Sequence, residues 1–267
     1  MVSQNESQHR DSEMTGTNQF DNTVALITGG SSGIGRKTAV AFGQQGANVV
    51  VAGRTTTEGD KTVRLIEDSG GSATFVKTDV TREDDVKQMV DHAISTYGRL
   101  DHAVNNAGNV GVPGPLAERT EDDWEYTMGV NLKGVWLSMK HEIPLLHESG
   151  GTIVNTASDF GHVGFEEFSL YVAAKHGVVG LTRAAALEVA DQGIRVNAVS
   201  PGAVDTPMNR DRLGGSKAVQ ETFGPSHPLG RVGTPEEVAD AIVWLSSEQS
   251  SFVTGQSLLV DGGYTAQ

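Results

Sequence analysis

Short apolar runs alternate along the chain with longer segments whose apolar residues recur every three to four positions, and glycines mark many of the boundaries. An uninterrupted apolar run suits a parallel strand covered on both faces, whereas the 3.6-residue period marks an amphipathic helix. Strands are predicted at 24–27, 47–52, 73–77, 100–104, 151–156, 194–199 and 257–260. Helices are predicted from Ile34 onward and over 57–69, 82–97, 121–147, 170–190 and 234–247. The 57–69 helix stops at Gly70-Gly71 and the 170–190 helix at Gly193, as helices commonly do. The 121–147 helix carries Trp124, Met128, Leu132, Val135 and Met139 at helical spacing and is interrupted near Pro144. Thr234-Pro235-Glu236-Glu237 forms a capping box with proline at the first helical position. Strands separated throughout by helices predict an α/β chain with one doubly wound, parallel seven-stranded sheet and helices on both faces.

Residues 1–20 are polar and aperiodic, and read as a disordered tail ahead of a single domain over 21–267. Periodicity is also weak over 203–233. Within it the 205–230 segment, with Gly214-Gly215, reads as a lid over a substrate.

In a parallel sheet of this kind ligands bind beyond the carboxyl ends of the strands. Five loops reach that rim, carrying Gly29–Gly35, Arg54, Asp79, Asn106 and Ser158. The first is a strand, a glycine turn and a helix, which aims backbone N–H groups and the positive end of a helix dipole at a phosphate. Gly29-x-x-x-Gly33-x-Gly35 is not the commonest G-x-G-x-x-G fingerprint. A Walker A loop also fails, because Arg36 follows Gly35, Lys37 comes one position late and no Walker B acid is evident.

Composition removes several classes of chemistry. There is no cysteine, so disulfides, thiol nucleophiles and thiolate metal sites are excluded. The eight histidines are scattered without ligand-pair spacing, and no metal site is expected. A net charge of −14 argues against a nucleic-acid or anionic-membrane surface. No stretch approaches the ~20 apolar residues of a membrane span, and no apolar signal core opens the chain, so a cytoplasmic location is expected.

Tyr171 and Lys175 lie four apart on one helical face. Alone, such a pair is ordinary packing. Together with Thr28-Gly29-x-x-x-Gly33-x-Gly35, Asn105-Asn106-Ala107-Gly108, Asn131, Ser158 and Pro201-Gly202, all in order and spacing, it resembles the short-chain dehydrogenase/reductase family in its form of about 250 residues. The resemblance covers roughly residues 21–263. It implies a Rossmann-type sheet, a nicotinamide dinucleotide, and hydride transfer between an alcohol and a carbonyl. Tyr171 would handle the proton, with Lys175 favouring its phenolate and holding the nicotinamide ribose. Ser158 would hydrogen-bond the substrate oxygen, and Asn131 would help hold a water beside Lys175. For the cofactor, Gly29, Ser31, Ser32, Gly33, Ile34 and Gly35 would line the phosphates, while Asp79 and Val80 would hold the adenine edge. Asn106, Ala107 and Gly108 would pass the adenosine and ribose, and Pro201, Gly202, Val204 and Thr206 the carboxamide. Asn105 is read as a tie between strands and left out of the site.

NADP(H) is expected over NAD(H). A site for NAD usually ends its second strand on an acid, where this chain has Gly53, followed by Arg54, whose fork suits a 2′-phosphate. The family further implies a homotetramer, and the long helices carry more apolar positions than one sheet face is expected to cover, for example Val178, Leu181, Ala185 and Leu187. The expected partner is a small alcohol or carbonyl compound whose pocket is walled by 109–116, 159–168 and 205–230. The alternative function is a dinucleotide-sensing regulatory binding protein of the same fold, against which the intact proton relay weighs.

Overall fold

The computed structural model describes residues 18–146 and 151–267. The reading of 1–17 as a tail therefore lies outside the described residues. Seven strands form one sheet: β1 (Val24–Thr28), β2 (Asn48–Gly53), β3 (Ser72–Lys77), β4 (His102–Asn105), β5 (Thr152–Thr156), β6 (Arg195–Pro201) and β7 (Ser257–Val260). Their order is β3-β2-β1-β4-β5-β6-β7, and every pairing is parallel. The expected doubly wound sheet is present. Strand order reverses between β1 and β4, which opens a crevice at their carboxyl ends.

Side chains alternate across each strand, and the core accordingly lies in two layers. Ala25 and Ile27 of β1 pack with Ala39 and Phe42 of α1 (Gly33–Gln44), Ile66 of α2 (Thr56–Glu67), and Val238 and Ile242 of α9 (Pro235–Ser246). Leu26 faces the other layer. There it joins Val86 and Met89 of α3 (Glu83–Tyr97), Val135 of α5 (Gly134–Glu142) and Val178 of α6 (Ser169–Val189).

The structure departs from the sequence reading in four places. The 121–147 segment is not one helix. The helix α4 (Glu121–Met128) runs into a π-helical turn (Gly129–Lys133), then α5, then a 3₁₀ turn (Ile143–Leu145) containing Pro144; position 147 is outside the described residues. A glycine stands at each side of the wide turn, and at Gly134 a Cβ would lie 2.7 Å from Val80 Cγ2. An apolar period that crosses the turn unbroken hides it. The tail boundary at residue 20 is also too late. Phe20 is buried with its ring 4.8 Å from Phe42 and 5.0 Å from His102, an anchor that a lone aromatic in a polar stretch does not announce. The 203–233 region holds two short helices, α7 (Pro207–Leu213) and α8 (Ser216–Phe223). Finally, Val178 and Ala185 are not surplus: both are buried within this chain, and of the residues singled out on α6 only Leu187 is strongly exposed. The exposed large apolar groups nearby are instead Trp124 and Tyr126 of α4 and Trp136 of α5.

Candidate active site

The chain leaves β1 through Gly29 and enters α1 at Gly33, with φ of +65° and +51° respectively. This left-handed backbone is costly for residues with a Cβ. Gly35 is different. A Cβ there would strike the Gly29 carbonyl and the Asn106 side chain, so this glycine packs α1 against the turn. It does not line the cavity, contrary to its placement among the cofactor contacts. Asn106 itself braces the turn, its side-chain amide donating to the Thr28 carbonyl at 3.1 Å. Arg36 clamps the turn from behind, donating to the Ser31 carbonyl, to Glu58 Oε2 at 2.8 Å and to Thr62 Oγ1 at 3.0 Å.

A continuous cavity of about 720 Å³ runs along the sheet's carboxyl rim. Apart from Gly35, each residue proposed from sequence for catalysis or cofactor binding lines it. Gly29, Ser31, Ser32, Gly33 and Ile34 lie at the turn, Arg54 beyond β2, and Asp79 and Val80 beyond β3. Asn106, Ala107 and Gly108 follow β4, and Pro201, Gly202, Val204 and Thr206 follow β6. Asn131, Ser158, Tyr171 and Lys175 lie between these groups on the same cavity.

These residues fit a nicotinamide dinucleotide. The open end of α1 meets the cavity at the glycine turn, where backbone N–H groups suit a pyrophosphate. At the far end of that half, Asp79 Oδ1 accepts from the Thr81 N–H and hydroxyl at 3.0 and 2.7 Å. Burial alone would raise the Asp79 carboxyl, but the Thr81 bonds and the charges of Arg54 and Arg82 hold it below the usual carboxylate range. It is thus an anionic acceptor. Gly53 presents no carboxylate, and a Cβ there would lie 2.9 Å from Ser31 Oγ.

At the chemical end, α6 sets Tyr171 and Lys175 one turn apart, and the Lys175 ammonium lies 5.5 Å from the Tyr171 ring centroid. Lys175 Nζ donates to the Thr156 carbonyl at 2.8 Å. Burial lowers this lysine to about 8. Burial pushes the Tyr171 phenol up to about 12, with the Ser158 hydroxyl pulling it back and the Asp159 charge raising it further. In the protein alone desolvation therefore outweighs the expected field of the lysine, and Tyr171 is a neutral phenol.

Asn131 sits in the π-helical turn, fully buried, a frequent location for functional groups. Its amide donates to the Thr127 carbonyl at 2.9 Å and to Asn109 Oδ1 at 3.0 Å, and its Oδ1 accepts from the Asn109 N–H at 3.2 Å. Asn109 is a partner that the sequence reading placed only in the pocket wall. A Cβ on Gly108 would lie 2.9 Å from Asn131 Oδ1 and 3.8 Å from Lys175 Nζ. The missing side chain leaves both groups facing one small polar space.

Beyond Tyr171 the wall is aromatic. Phe160 stacks on Phe165 at 4.4 Å and meets Tyr171 edge-on at 6.2 Å. Tyr264 closes this side and was missed by sequence reasoning. The available signal was Asp261-Gly262-Gly263: both glycines have positive φ, and Asp261 binds the Gly263 and Thr265 N–H groups, turning the chain end back over the cavity. Met208, Arg212, Phe223 and His227 complete the wall from the 205–230 segment. Leu213 and Leu116 of the expected walls do not line it. Among the described residues no cluster of metal-ligating side chains occurs, and no helix is long and apolar enough to cross a membrane.

The sequence model of a family described as enoyl-(acyl carrier protein) reductase matches residues 29–265. Cyclohexanol dehydrogenase of Acinetobacter sp. (strain SE19) is 45% identical over 94% of this chain and 98% of its own. The 2,5-dichloro-2,5-cyclohexadiene-1,4-diol dehydrogenase of Sphingobium indicum (strain UT26) is 44% identical over 90% and 96%. The crystal structure of levodione reductase superposes with a TM-score of 0.88 at 34% identity, covering 92% of this chain and 99% of that one. The sequence match over nearly the whole length and the shared fold lead to one conclusion: the chain belongs to the short-chain dehydrogenase/reductase family of NAD(P)-dependent oxidoreductases.

Proposed function

We propose that the protein interconverts a secondary alcohol and a ketone on a six-membered carbocycle, with NADP(H) preferred over NAD(H). The observation that carries this reading is the continuity of the cavity, from the glycine turn past Ser158, Tyr171 and Lys175 to an aromatic wall. Flat or puckered apolar rings suit such a wall, and both relatives named above act on ring alcohols by their names.

When bound, a reduced nicotinamide would supply a hydride to the carbonyl carbon. Tyr171, protonated at neutral pH, donates its proton to the carbonyl oxygen. Ser158 orients the same oxygen by a hydrogen bond. The Lys175 ammonium then stabilises the phenolate that Tyr171 becomes, an interaction strengthened by its burial. The small space facing Gly108, Asn131 and Lys175 suits a water that returns the proton. Oxidation runs through the same groups in reverse.

The test is absorbance of the reduced cofactor during turnover of cyclohexanol and cyclohexanone with each cofactor. Absence of turnover, with cofactor binding intact, would favour the dinucleotide-sensing alternative. For assembly, the exposed Trp124, Tyr126 and Trp136 support a homotetramer joined through α4 and α5. Light scattering giving the 28.2 kDa mass of one chain at micromolar concentration would refute it.

A further inference from the structure

Asp159 is buried immediately beside Ser158 and lines the cavity. The Ser158 hydroxyl donates to its Oδ1 at 2.7 Å, and the Phe160 N–H donates to the same oxygen at 2.8 Å. Oδ2 takes no hydrogen bond from a described residue. Burial raises the carboxyl to about 6, so at neutral pH it is an ionised acceptor with no proton to give.

A serine hydroxyl has a single proton. If Ser158 turns that proton to the reacting oxygen, Asp159 loses its side-chain donor inside a desolvated site. A buried carboxylate short of a hydrogen bond is costly. A substrate that brings its own hydroxyl replaces the lost donor; a substrate with one oxygen does not. Ser158 Oγ and Asp159 Oδ1 lie 2.7 Å apart, a close pair that the short separation of oxygens on adjacent ring carbons matches better than the long separation across the ring.

We infer that Asp159 receives a hydroxyl on the carbon next to the reacting one, which makes the preferred substrate an alicyclic 1,2-diol or the corresponding 2-hydroxy ketone. The inference rests on the reading that Ser158 and Tyr171 meet the reacting oxygen.

The experiment compares kcat/KM of the full-length enzyme, with saturating cofactor, for cyclohexanol, cis- and trans-cyclohexane-1,2-diol, and cyclohexane-1,4-diol. One 1,2-diol isomer should exceed cyclohexanol by at least ~10-fold, because a site built around a substrate hydroxyl rejects the analogue lacking it. The 1,4-diol should gain nothing. In Asp159→Ala the 1,2-diol advantage should fall below ~3-fold. Wild type turning over cyclohexanol as well as both 1,2-diols overturns the inference, and so does an advantage that persists in Asp159→Ala. Should that variant not fold, Asp159→Asn keeps the shape while removing the charge, and the wild-type comparison decides on its own. If no alcohol is turned over, the functional reading fails separately. Equilibrium titration of the cofactor-loaded protein then decides: a 1,2-diol binding ~10-fold tighter than cyclohexanol upholds the role of Asp159, and equal affinity ends it.

Discussion

At the β1–β3 end of the cavity a glycine turn shapes the wall, with Arg54 and Asp79 beside it, whereas at the β5–β7 end bulky side chains make it. The first end is a glycine turn fixed by its own φ angles, braced by Asn106 and clamped by Arg36. The second end is Phe160, Phe165, Tyr171 and Tyr264, together with two short helices that bury little. No residue of α7 and only Val219 of α8 is buried. Gly214 and Gly215, both at positive φ, separate the two helices. A constant cofactor suits a wall shaped by a fixed turn, and a varied substrate suits walls that side-chain substitution can reshape.

The largest expected effect lies where the two ends meet. Tyr171→Phe keeps the ring against Phe160 and removes the proton. It should lower kcat by at least ~10²-fold, the scale of general acid–base catalysis, while dinucleotide affinity measured by fluorescence titration stays near wild type. Near-normal turnover would detach Tyr171 from the chemistry. Loss of cofactor affinity would mean that the ends are not separable.

A smaller change should act on the glycine-turn end alone. Gly53→Asp places a carboxylate where a ribose 2′-hydroxyl would be held. Its Cβ would lie 2.9 Å from Ser31 Oγ, a hydroxyl that can rotate away. Wild type should prefer NADP(H), and the variant should shift the ratio of kcat/KM values toward NAD(H) by more than ~10-fold, about 1.4 kcal/mol. Wild type preferring NAD(H) would show that Arg54 does not read a 2′-phosphate.

The difference in burial also predicts a difference in motion. Amides of 207–223 should exchange quickly with solvent in the free protein and become protected when cofactor and a ring alcohol are both bound. Those of β1 and α1 should be protected throughout. Equal protection of both regions in the free protein would make the α7–α8 segment a fixed wall.

The same contrast explains what the sequence revealed. The sheet, its order of elements and the glycine turn follow from local signals: apolar runs, period and glycine spacing. Ser158, Tyr171, Lys175 and Asn131 were legible because a family pattern ties them together, although the π turn that carries Asn131 was not. Asp159 appeared only as one end of a loop, since its position against Ser158 depends on a turn that periodicity does not register. Tyr264 comes from the far end of the chain, and contacts so distant in sequence leave no local trace. Phe20 and the buried side of α6 were misread for a related reason: burial is decided by which neighbour arrives, not by the apolar residue itself.

The smallest expected effect on activity comes from beneath both ends, where Asn105 proves to be the tie between strands that its position suggested. Its amide donates to Asn155 Oδ1 at 3.1 Å and to Glu142 Oε2 at 2.9 Å, joining β4 to β5 and α5. Glu142 is fully buried, and its Oε1 has no hydrogen-bond partner among the described residues. Burial raises its carboxyl from 4.5 to about 7, the Asn105 bond only partly offsetting this. Between those values the folded protein binds the proton more tightly than the unfolded chain. The stability from this group is therefore complete below pH 4.5 and is lost as pH rises through 7. At about 1.36 kcal/mol per unit, the loss is on the order of 3 kcal/mol. Glu142→Gln keeps the acceptor for Asn105 and removes the charge. Its Tm should match or fall slightly below wild type at pH 4.5 and exceed it by several degrees at pH 8. Because Glu142 does not line the cavity, cofactor preference and substrate ranking should not change. A Tm difference independent of pH would show that Glu142 does not titrate on unfolding. A shift in either specificity would show that the two ends are coupled through the sheet they share.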